Sequence, residues 1–388
     1  MSNQLDKAFN ITPEVIEEEK AAVLEVLDQE FLGMGTYVKK FEEELYKYFQ
    51  RKVVCVNTGT SALQLALQAS GIGPGDEVLV QSLTYVASFQ AITAVGAKPV
   101  PCEIKEDLTI DLTDASLRMT SRTRAIMPVH YSGAVGNLSH TYEFAKKHDL
   151  VVVEDAAHAL ETISNHGKVG NTDYAAAFSF YANKNITTGG EGGALATNDK
   201  VLAENIRKLS LHGMSKDGWK RFQKNAKWEY DVSKLGYKYN MTDISASFGN
   251  WQMKYVKQWH ASRSKLFKYY NKKLSQLDGI TCPIDVSHEQ IHGYHLYIIR
   301  LKSEMWSINR NKIIELLNAS GIGTSVHYKP IHMHSYYQKK YGFKPIDFPN
   351  SYGFYRNAIT LPLYPDLSIE QVDFIVENLI LIWNKYKN

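Results

Sequence analysis

The sequence is short of cysteine and has no long apolar run. Its three cysteines, Cys55, Cys102 and Cys282, are far apart and show neither CxxC nor Cys/His ligand spacing. Neither a disulfide framework nor a metal site is therefore indicated, and the cysteine content favours a reducing cytoplasm. No apolar stretch approaches the roughly 20 residues of a membrane span. The first 20 residues also lack the basic start and apolar run of a secretion signal, so we expect a soluble, unprocessed protein.

An excess of charge is also missing. The 44 basic and 41 acidic residues leave a formal net charge of +3, so no basic surface requires a nucleic acid or a membrane as partner. A small molecule is the expected partner. With 388 residues, 44% of them hydrophobic, the chain is long enough for two packed domains. We predict a large α/β domain over residues 1–250, then a linking helix and a small α+β domain over residues 251–388.

Short β-rich runs alternate with helical patterns between residues 52 and 200. This alternation is typical of βαβ units and predicts a mainly parallel sheet. The predicted strands are residues 53–56, 77–80, 99–104, 124–129, 150–154, 175–180 and 193–197. Predicted helices include residues 61–69, 139–148, 243–274, 309–319 and 368–386, and two further strands are predicted at residues 295–301 and 324–328.

Residues 214–233 lose the apolar pattern and carry several lysines, with Trp219 and Trp228 between them. This composition predicts a long loop. Two interpretations have equal weight: a solvated excursion anchored by its aromatic residues, or a segment that contacts substrate or another subunit.

Residues 57–61 (NTGTS) follow an apolar strand and open a helix. The free N–H groups of a helix N-terminus and its dipole suit a phosphate group. Thr60 and Ser61 add hydroxyl donors. Strand-to-helix turns are also rich in these residues for capping alone, so both interpretations stand on this segment by itself.

A second candidate is Asp155, at the end of the apolar run at residues 151–155 (VVVED). A carboxylate at the C-terminal end of a central strand points into the crevice where α/β proteins bind ligands. Its burial would require a cationic partner, such as a protonated pyridine nitrogen. Taken alone, Asp155 could instead be the N-cap of a helix starting near Ala156.

The third candidate is Lys184. A predicted strand delivers Ser179 and then Lys184 into a loop whose glycines, within residues 188–193, allow close backbone approach. Burial would help this lysine to lose its proton and form an imine with an aldehyde. The alternative is an ordinary solvent-facing lysine.

Together, these elements resemble the DegT/DnrJ/EryC family of sugar aminotransferases, which use pyridoxal 5′-phosphate (PLP). The resemblance extends from about Ile11 to the C-terminal helix. It rests on residues 71–78 (GIGPGDEV), 154–158 (EDAAH), 178–180 (FSF) with Lys184, 236–243 (GYKYNMTD) and 361–365 (LPLYP). It implies a fold-type I α/β architecture, with a mainly parallel seven-stranded sheet between helices and a smaller C-terminal α+β domain.

The resemblance also implies roles for individual residues. Lys184 would hold PLP as a Schiff base and carry protons, and Asp155 would pair with the pyridine nitrogen. His158 would lie near the ring hydroxyl, and Tyr85 would stack on the ring. The phosphate would be held by Thr60, Ser61 and Ser179.

Lys238 and Asn240 match the family segment that reaches the phosphate of a partner subunit, which implies a homodimer with shared active sites. The commoner family form has asparagine at the first position and arginine at the second. A lysine would meet the phosphate as a point charge. Residues 188–193 also carry one glycine more than the common form of that loop.

The presence of Lys184 implies transamination, because the family's sugar dehydratases carry histidine at this position. Residues 130–133, 236–243, 295–300 and 321–327 are most similar to enzymes that aminate C4 of nucleotide-linked 4-keto sugars, as on the aminoarabinose and pseudaminic acid routes. The resemblance thus implies a UDP-linked keto sugar as substrate, L-glutamate as donor, 2-oxoglutarate as product and a role in surface-glycan biosynthesis. A C3 enzyme and a dTDP- or GDP-sugar stay open.

His327, Tyr328 and Lys329 are candidates for the nucleotide-sugar pocket, because a sugar diphosphate needs cationic and hydroxyl donors. A strand-end histidine that bonds to the backbone is an equal alternative for His327. Arg207 and His212 follow the family pattern, or simply pack near a helix C-terminus.

Two other protein classes fit the sequence less well. A dinucleotide-dependent oxidoreductase needs Gly-x-Gly-x-x-Gly at the start of a helix, whereas the glycines of residues 71–75 precede a strand. A non-catalytic regulator on the same scaffold stays possible. Loss of Lys184 or Asp155 would indicate one, and both are present.

Overall fold

The computed structural model describes residues 17–29, 31–214, 230–285 and 290–388. The first 16 residues, and most of the loop predicted at residues 214–233, lie outside the described residues. Within them, no helix has the length and apolar character needed to cross a membrane.

The described chain alternates strands and helices. Its strands are β1 (Lys52–Val56), β2 (Glu77–Gln81), β3 (Lys98–Cys102), β4 (Thr123–Met127), β5 (Val151–Asp155), β6 (Ile163–Ser164), β7 (Gly167–Lys168), β8 (Ala175–Ser179), β9 (Gly193–Thr197), β10 (Ile280–Thr281), β11 (Tyr297–Leu301) and β12 (Ala358–Leu361). Its α-helices are α1 (Glu17–Asp28), α2 (Thr36–Phe49), α3 (Gly59–Ala69), α4 (Val86–Ala94), α5 (Leu112–Arg118), α6 (Leu138–Lys147), α7 (Lys200–Leu209), α8 (Asp243–Leu274), α9 (Arg310–Ala319), α10 (Ser335–Tyr341), α11 (Pro349–Asn357) and α12 (Ile369–Tyr386).

The main sheet has seven strands in the order β1-β9-β8-β5-β4-β2-β3. Strands β8, β5, β4, β2 and β3 are parallel to one another, whereas β9 runs antiparallel to β1 and β8. The seven strands predicted before residue 200 are these seven. The predicted mainly parallel α/β fold is therefore confirmed.

Both faces of the sheet are buried, because successive side chains of a strand point in opposite directions. In β1, Cys55 joins a core with Phe41 of α2, and Val54 joins a second core with Phe89 of α4. Burying a phenylalanine in this way contributes about 1.5–3 kcal/mol. Several helices begin with a side-chain cap that accepts a backbone N–H, at Thr58, Asp111, Asp199, Thr242, Asn309 and Ser368.

Strands β10, β11 and β12 form a small antiparallel sheet that packs with helices in a separate core. The strand predicted at residues 324–328 is wrong. Only Ser325 pairs with Thr360 of β12, in an isolated bridge. The chain then leaves the sheet edge, and His327 and Tyr328 line a cavity instead.

Helix α8 crosses the predicted domain boundary at residue 250. At its first turn, Asp243 Oδ1 accepts hydrogen bonds from the N–H groups of Gly35 and Val38, at 2.8 and 3.0 Å. Near its other end, Phe267 is buried in the C-terminal core. The helix thus joins both parts of the molecule, and the division at residue 250 stays a prediction.

Candidate active site

A cavity of about 440 Å³ lies where the carboxyl ends of β5 and β8 meet the N-terminus of α3. We call it the Lys184 cavity. Crevices at this edge of an open parallel sheet are the usual ligand sites of α/β proteins. Eight predicted site residues line it: Thr60, Tyr85, Asp155, His158, Ser179, Lys184, His327 and Tyr328.

Lys184 is buried, with 9% of its surface exposed. Its backbone N–H donates to Tyr181 O at 2.9 Å, closing a tight turn after β8. Burial lowers the pKa of Lys184 to about 8, and the charge of Asp155 opposes this shift. The solvent-facing interpretation is therefore wrong: the amine is desolvated, and a useful fraction of it is unprotonated near neutral pH.

Asp155 ends β5 with its carboxylate in the cavity. No helix follows it, so the N-cap interpretation is wrong. Its Oδ1 instead accepts the N–H of Ala157 at 3.2 Å, and its Oδ2 accepts the hydroxyl of Ser88 at 2.7 Å. These bonds hold a carboxylate that is only 5% exposed. Sequence reasoning missed Ser88, although it lies three residues after the predicted Tyr85.

The turn before α3 combines capping with an approach to the cavity. Thr58 caps the helix by accepting the N–H of Ser61 at 3.0 Å, and Ser61 Oγ donates to Asn57 Oδ1 at 2.8 Å. The capping interpretation therefore describes Ser61, whose side chain does not line the cavity. Thr60 does line it.

Gly59 brings this turn close to Ser179. A Cβ atom at Gly59 would lie 2.8 Å from the Cβ of Ser179, which no side chain could tolerate without a shift. Glycine thus lets the first N–H groups of α3, which have no intrahelical partner, lie beside the Ser179 hydroxyl.

His158 is held in one tautomer. Its Nδ1 accepts the N–H of Ser132 at 3.2 Å, so in the neutral ring the proton is on Nε2, which lies 3.2 Å from Tyr328 Oη. Burial, followed by the charges of Lys184 and His327, lowers the pKa of His158 well below its usual value. His158 is therefore a neutral donor to Tyr328 at neutral pH.

Two further histidines lie close by. The ring of His295 is 4.2 Å from that of His158, between centroids, and its Nδ1 faces Asn185 Oδ1 at 3.0 Å. His327 Nδ1 lies 2.8 Å from the Thr360 hydroxyl. The partner of this nitrogen is therefore a side chain and not the backbone. Burial lowers the pKa of His327 to about 4. His295 was not predicted as a site residue.

The remaining predicted residues lie outside the cavity. Lys238 is exposed and forms an isolated β-bridge with Leu211. Asn240 forms a β-bridge with Val56, and its side-chain amide donates to Met241 O at 3.1 Å. A role in a partner subunit's site stays a prediction for both. Lys329 is also exposed and does not line the cavity, so its substrate role stays a prediction too.

Arg207 has a structural contact. Its Nη2 lies 2.6 Å from Glu42 Oε2, and Glu42 Oε1 accepts the N–H of Cys55 in β1. This ion pair ties α7 to α2 and β1, which agrees with the packing interpretation of Arg207.

Comparison with known proteins decides the assignment. Residues 13–380 match the DegT/DnrJ/EryC1/StrS aminotransferase family. The chain belongs to this family. It is 41% identical over 368 residues to the spore coat polysaccharide biosynthesis protein SpsC of Bacillus subtilis, with 94% of each chain covered.

Two solved structures of relatives have the same fold. Spr1654 of Streptococcus pneumoniae in its PMP form is 34% identical, with a TM-score of 0.89 over 96% of this chain and 98% of that chain. PseC of Helicobacter pylori, an aminotransferase involved in the biosynthesis of pseudoaminic acid, is 29% identical, with a TM-score of 0.87 over 96% and 98%. The protein is thus a PLP-dependent sugar aminotransferase of fold type I.

The Lys184 cavity fits pyridoxal 5′-phosphate. The desolvated amine of Lys184 suits the aldehyde, and the carboxylate of Asp155 suits a protonated ring nitrogen. The N-terminus of α3, together with Thr60 and Ser179, suits the phosphate. All three features open into one space of sufficient size.

Proposed function

We propose that this aminotransferase moves the amino group of L-glutamate onto C4 of a UDP-linked 4-keto sugar, for the biosynthesis of a bacterial surface glycan. The observation that carries the amino-transfer chemistry is the buried, pKa-lowered Lys184 beside Asp155 in one cavity. The names of SpsC and PseC, in polysaccharide and pseudoaminic acid biosynthesis, support the glycan role. The three free cysteines support a reducing cytoplasm as its location.

Each part of the cofactor would be held by a different element. Lys184 would hold the aldehyde carbon, Asp155 the ring nitrogen, and the α3 N-terminus with Thr60 and Ser179 the phosphate. Tyr85, at the cavity wall, would cover one ring face. When bound, PLP withdraws electrons from the carbon that carries the amino group.

Lys184 is also the proposed proton carrier. As a free amine, its Nζ can take a proton from the donor Cα and deliver one to the sugar carbon. A carrier works best when its pKa lies near the working pH, and burial brings the pKa of Lys184 to about 8. This supports transamination.

Tyr328 is the proposed hydroxyl donor to the substrate. Because His158 Nε2–H donates to Tyr328 Oη, the hydroxyl proton of Tyr328 is directed away from His158. The Tyr328 side chain lines the cavity between Tyr85 and His158. It can therefore orient a sugar oxygen without changing its own protonation.

Substrate identity is tested with a panel of UDP-, dTDP- and GDP-linked 4-keto sugars and L-glutamate. The purified protein should absorb visible light, and borohydride should fix the cofactor on Lys184. Mass spectrometry and NMR should then show an amine at C4 of a UDP-sugar. Amination at C3, or of a dTDP- or GDP-sugar, would select one of the alternatives. A colourless protein, or label on another lysine, would contradict the proposal.

We further propose a homodimer in which Lys238 and Asn240 reach the partner's cofactor phosphate. Their position outside their own cavity is compatible with this. A Lys184→Ala chain mixed with a Lys238→Ala/Asn240→Ala chain would form heterodimers with one intact site. Activity should return on mixing. Without such a return, the phosphate ligands would all belong to one subunit.

A further inference from the structure

Arg263 is a buried cation with an unused hydrogen-bond donor, Nε, among the described residues. It lies in the second half of α8 and is 2% exposed. Its Nη1 donates to Leu363 O at 2.8 Å, while its Nε is buried and has no hydrogen-bond partner among the described residues. Guanidinium groups are rarely buried without a carboxylate or several acceptors, because desolvation is costly. Arg263 thus has unfilled capacity for an anion.

Arg263 opens onto a second cavity, of about 120 Å³, which we call the Arg263 cavity. This is several times the ~10–15 Å³ that a single water molecule needs. Among the described residues, its lining includes no aspartate or glutamate. The lining residues are Asn183, Arg263, His295, Leu296, Gly323, Thr324, Ser325, His327, Thr360, Leu361, Pro362 and Leu363.

The charge in this cavity has one sign. Burial lowers the pKa of His327 to about 4 and that of His295 well below its usual value, so both rings are neutral near pH 7. Burial also lowers the pKa of Arg263, against the charge of Asp366, but only to about 10. Arg263 therefore stays protonated and is the charged side chain of the lining.

The Arg263 cavity adjoins the Lys184 cavity. Asn183 and His327 line both. The Oδ1 atom of Asn183, the residue just before Lys184, is buried without a hydrogen-bond partner in the described chain. Rotation of its side-chain amide would present Nδ2, a donor, to an anion beside Arg263. Two buried polar groups with unused hydrogen-bonding capacity, Arg263 Nε and Asn183 Oδ1, thus line the cavity that adjoins the Lys184 cavity.

We propose that the Arg263 cavity binds the α-carboxylate of the amino-acid donor, with the donor's amino group directed into the Lys184 cavity. This rests on the proposed function, since it names where the donor of that reaction is recognised. A carboxylate matches the planar fork of a guanidinium, and it lies one carbon from the amino group that is transferred. All amino-acid donors share it, whereas the sugar substrate does not carry it.

The test separates the two half-reactions of the PLP-loaded enzyme. With Arg263→Gln, the Kd of L-glutamate, from the loss of visible absorption in single turnovers, should rise at least about 30-fold. The Kd of the keto sugar for the amine-loaded enzyme should change less than about threefold. Equilibrium titration with 2-methylglutamate, which has no Cα proton and therefore cannot complete the amino transfer, should show the same loss of binding.

Arg310→Gln is the matched control. Arg310 also donates to backbone carbonyls beside β12, from Nη1 to Tyr355 O and Ala358 O at 2.8 and 3.4 Å, but it lines a different cavity. It should leave the donor Kd unchanged. If Arg263→Gln does not fold, Arg263→Lys decides, because it keeps the charge but loses the fork. It should weaken donor binding by about 3- to 10-fold. A wild-type donor Kd in the variant that folds would overturn the inference.

Two donors with one carboxylate each identify which group is bound. L-Alanine keeps only the α-carboxylate and should respond to Arg263→Gln. 4-Aminobutyrate keeps only the carboxylate that corresponds to the side chain of glutamate, and Arg263→Gln should not change its weak reaction. The reverse pattern would overturn the α-carboxylate assignment.

A wider panel separates failure of the inference from failure of the proposed function. If another amino acid reacts instead of L-glutamate, the same variants decide, because it carries the same α-carboxylate. If no amino acid reacts with the wild-type enzyme, the proposed function is overturned together with the inference.

Discussion

Glu154 and Asp155 are neighbours on β5, yet they lie in different environments. Asp155 faces the Lys184 cavity, where its oxygens accept hydrogen bonds from Ser88 and Ala157. Glu154 points to the opposite face and is fully buried. Its oxygens accept from Tyr142, Thr172 and His130 Nε2, at 2.7, 3.0 and 2.6 Å respectively.

Successive side chains of a strand point to opposite faces, so one of the two carboxylates faces the ligand cavity and the other is part of the buried core. Asp155 keeps an open side on a ligand cavity, so its charge is available to a cofactor. Glu154 has its acceptors filled by side chains from three other parts of the chain. The same carboxylate is a proposed cofactor ligand at one position and a structural acceptor at the next.

The largest expected effect is loss of activity in Asp155→Asn. Removing one charge of a buried pair costs about 3–5 kcal/mol, which corresponds to a fall in amination rate on the order of 10²–10⁴-fold. The free energy of unfolding should change by less than about 1 kcal/mol, because asparagine Oδ1 can still accept the N–H of Ala157 and its Nδ2 can donate to the Ser88 hydroxyl. Steady-state kinetics and urea unfolding measure the two effects. A wild-type rate in this variant would contradict the proposed role of Asp155 as a cofactor ligand.

Glu154→Gln should give the opposite pattern. A glutamine amide cannot accept hydrogen bonds from all the donors that converge on Glu154, so unfolding should require about 3 kcal/mol less free energy. The rate of the folded enzyme should fall by less than about threefold. Glu44→Gln, in the exposed pair with Lys47, is the control and should cost less than about 1 kcal/mol. Equal stability of the two variants would contradict the structural role of Glu154.

A smaller effect is the acid sensitivity that Glu154 brings. Burial favours the neutral acid, but the hydrogen bond and charge of His130, with the other donors, lower the pKa of Glu154 below its usual 4.5. A carboxyl with a lowered folded-state pKa contributes stability above the unfolded pKa and loses it as the pH falls through the folded value. Between about pH 6 and about pH 3.5, wild type should lose more stability than Glu154→Gln. Urea unfolding measures these losses, and equal losses of stability in the two proteins between these pH values would refute this.

The smallest effect separates Thr60 from Ser61. Ser61→Ala removes half of a capping box and should cost about 1 kcal/mol of stability. Thr60→Val should leave stability nearly unchanged and weaken PLP binding by several-fold, since its hydroxyl is free to face the cavity. PLP titration by absorbance, beside urea unfolding, distinguishes them. If Ser61→Ala also weakens PLP binding as much as Thr60→Val, Ser61 is a phosphate ligand as first predicted.

Sequence reasoning succeeded where the signal is local. Strand periodicity located the seven strands of the main sheet, and the family resemblance implied that Thr60, Asp155 and Lys184 share one site. It failed where partners come from afar. Ser88 lies 67 residues before Asp155, and the segment at residues 324–328 has strand composition but finds only one pairing position on β12.

Lys184 illustrates the difference between what the sequence alone and what the tertiary structure decides. The sequence by itself determined the α/β class, because this class depends on pattern, and its resemblance to a family implied the cofactor and the residues available for amino transfer. Only the tertiary structure decided that Lys184 is desolvated, that Ser61 belongs to the capping box of a helix and that Arg263 faces a cavity. Burial and hydrogen-bond partners depend on residues that are distant along the chain, and folding alone brings them together.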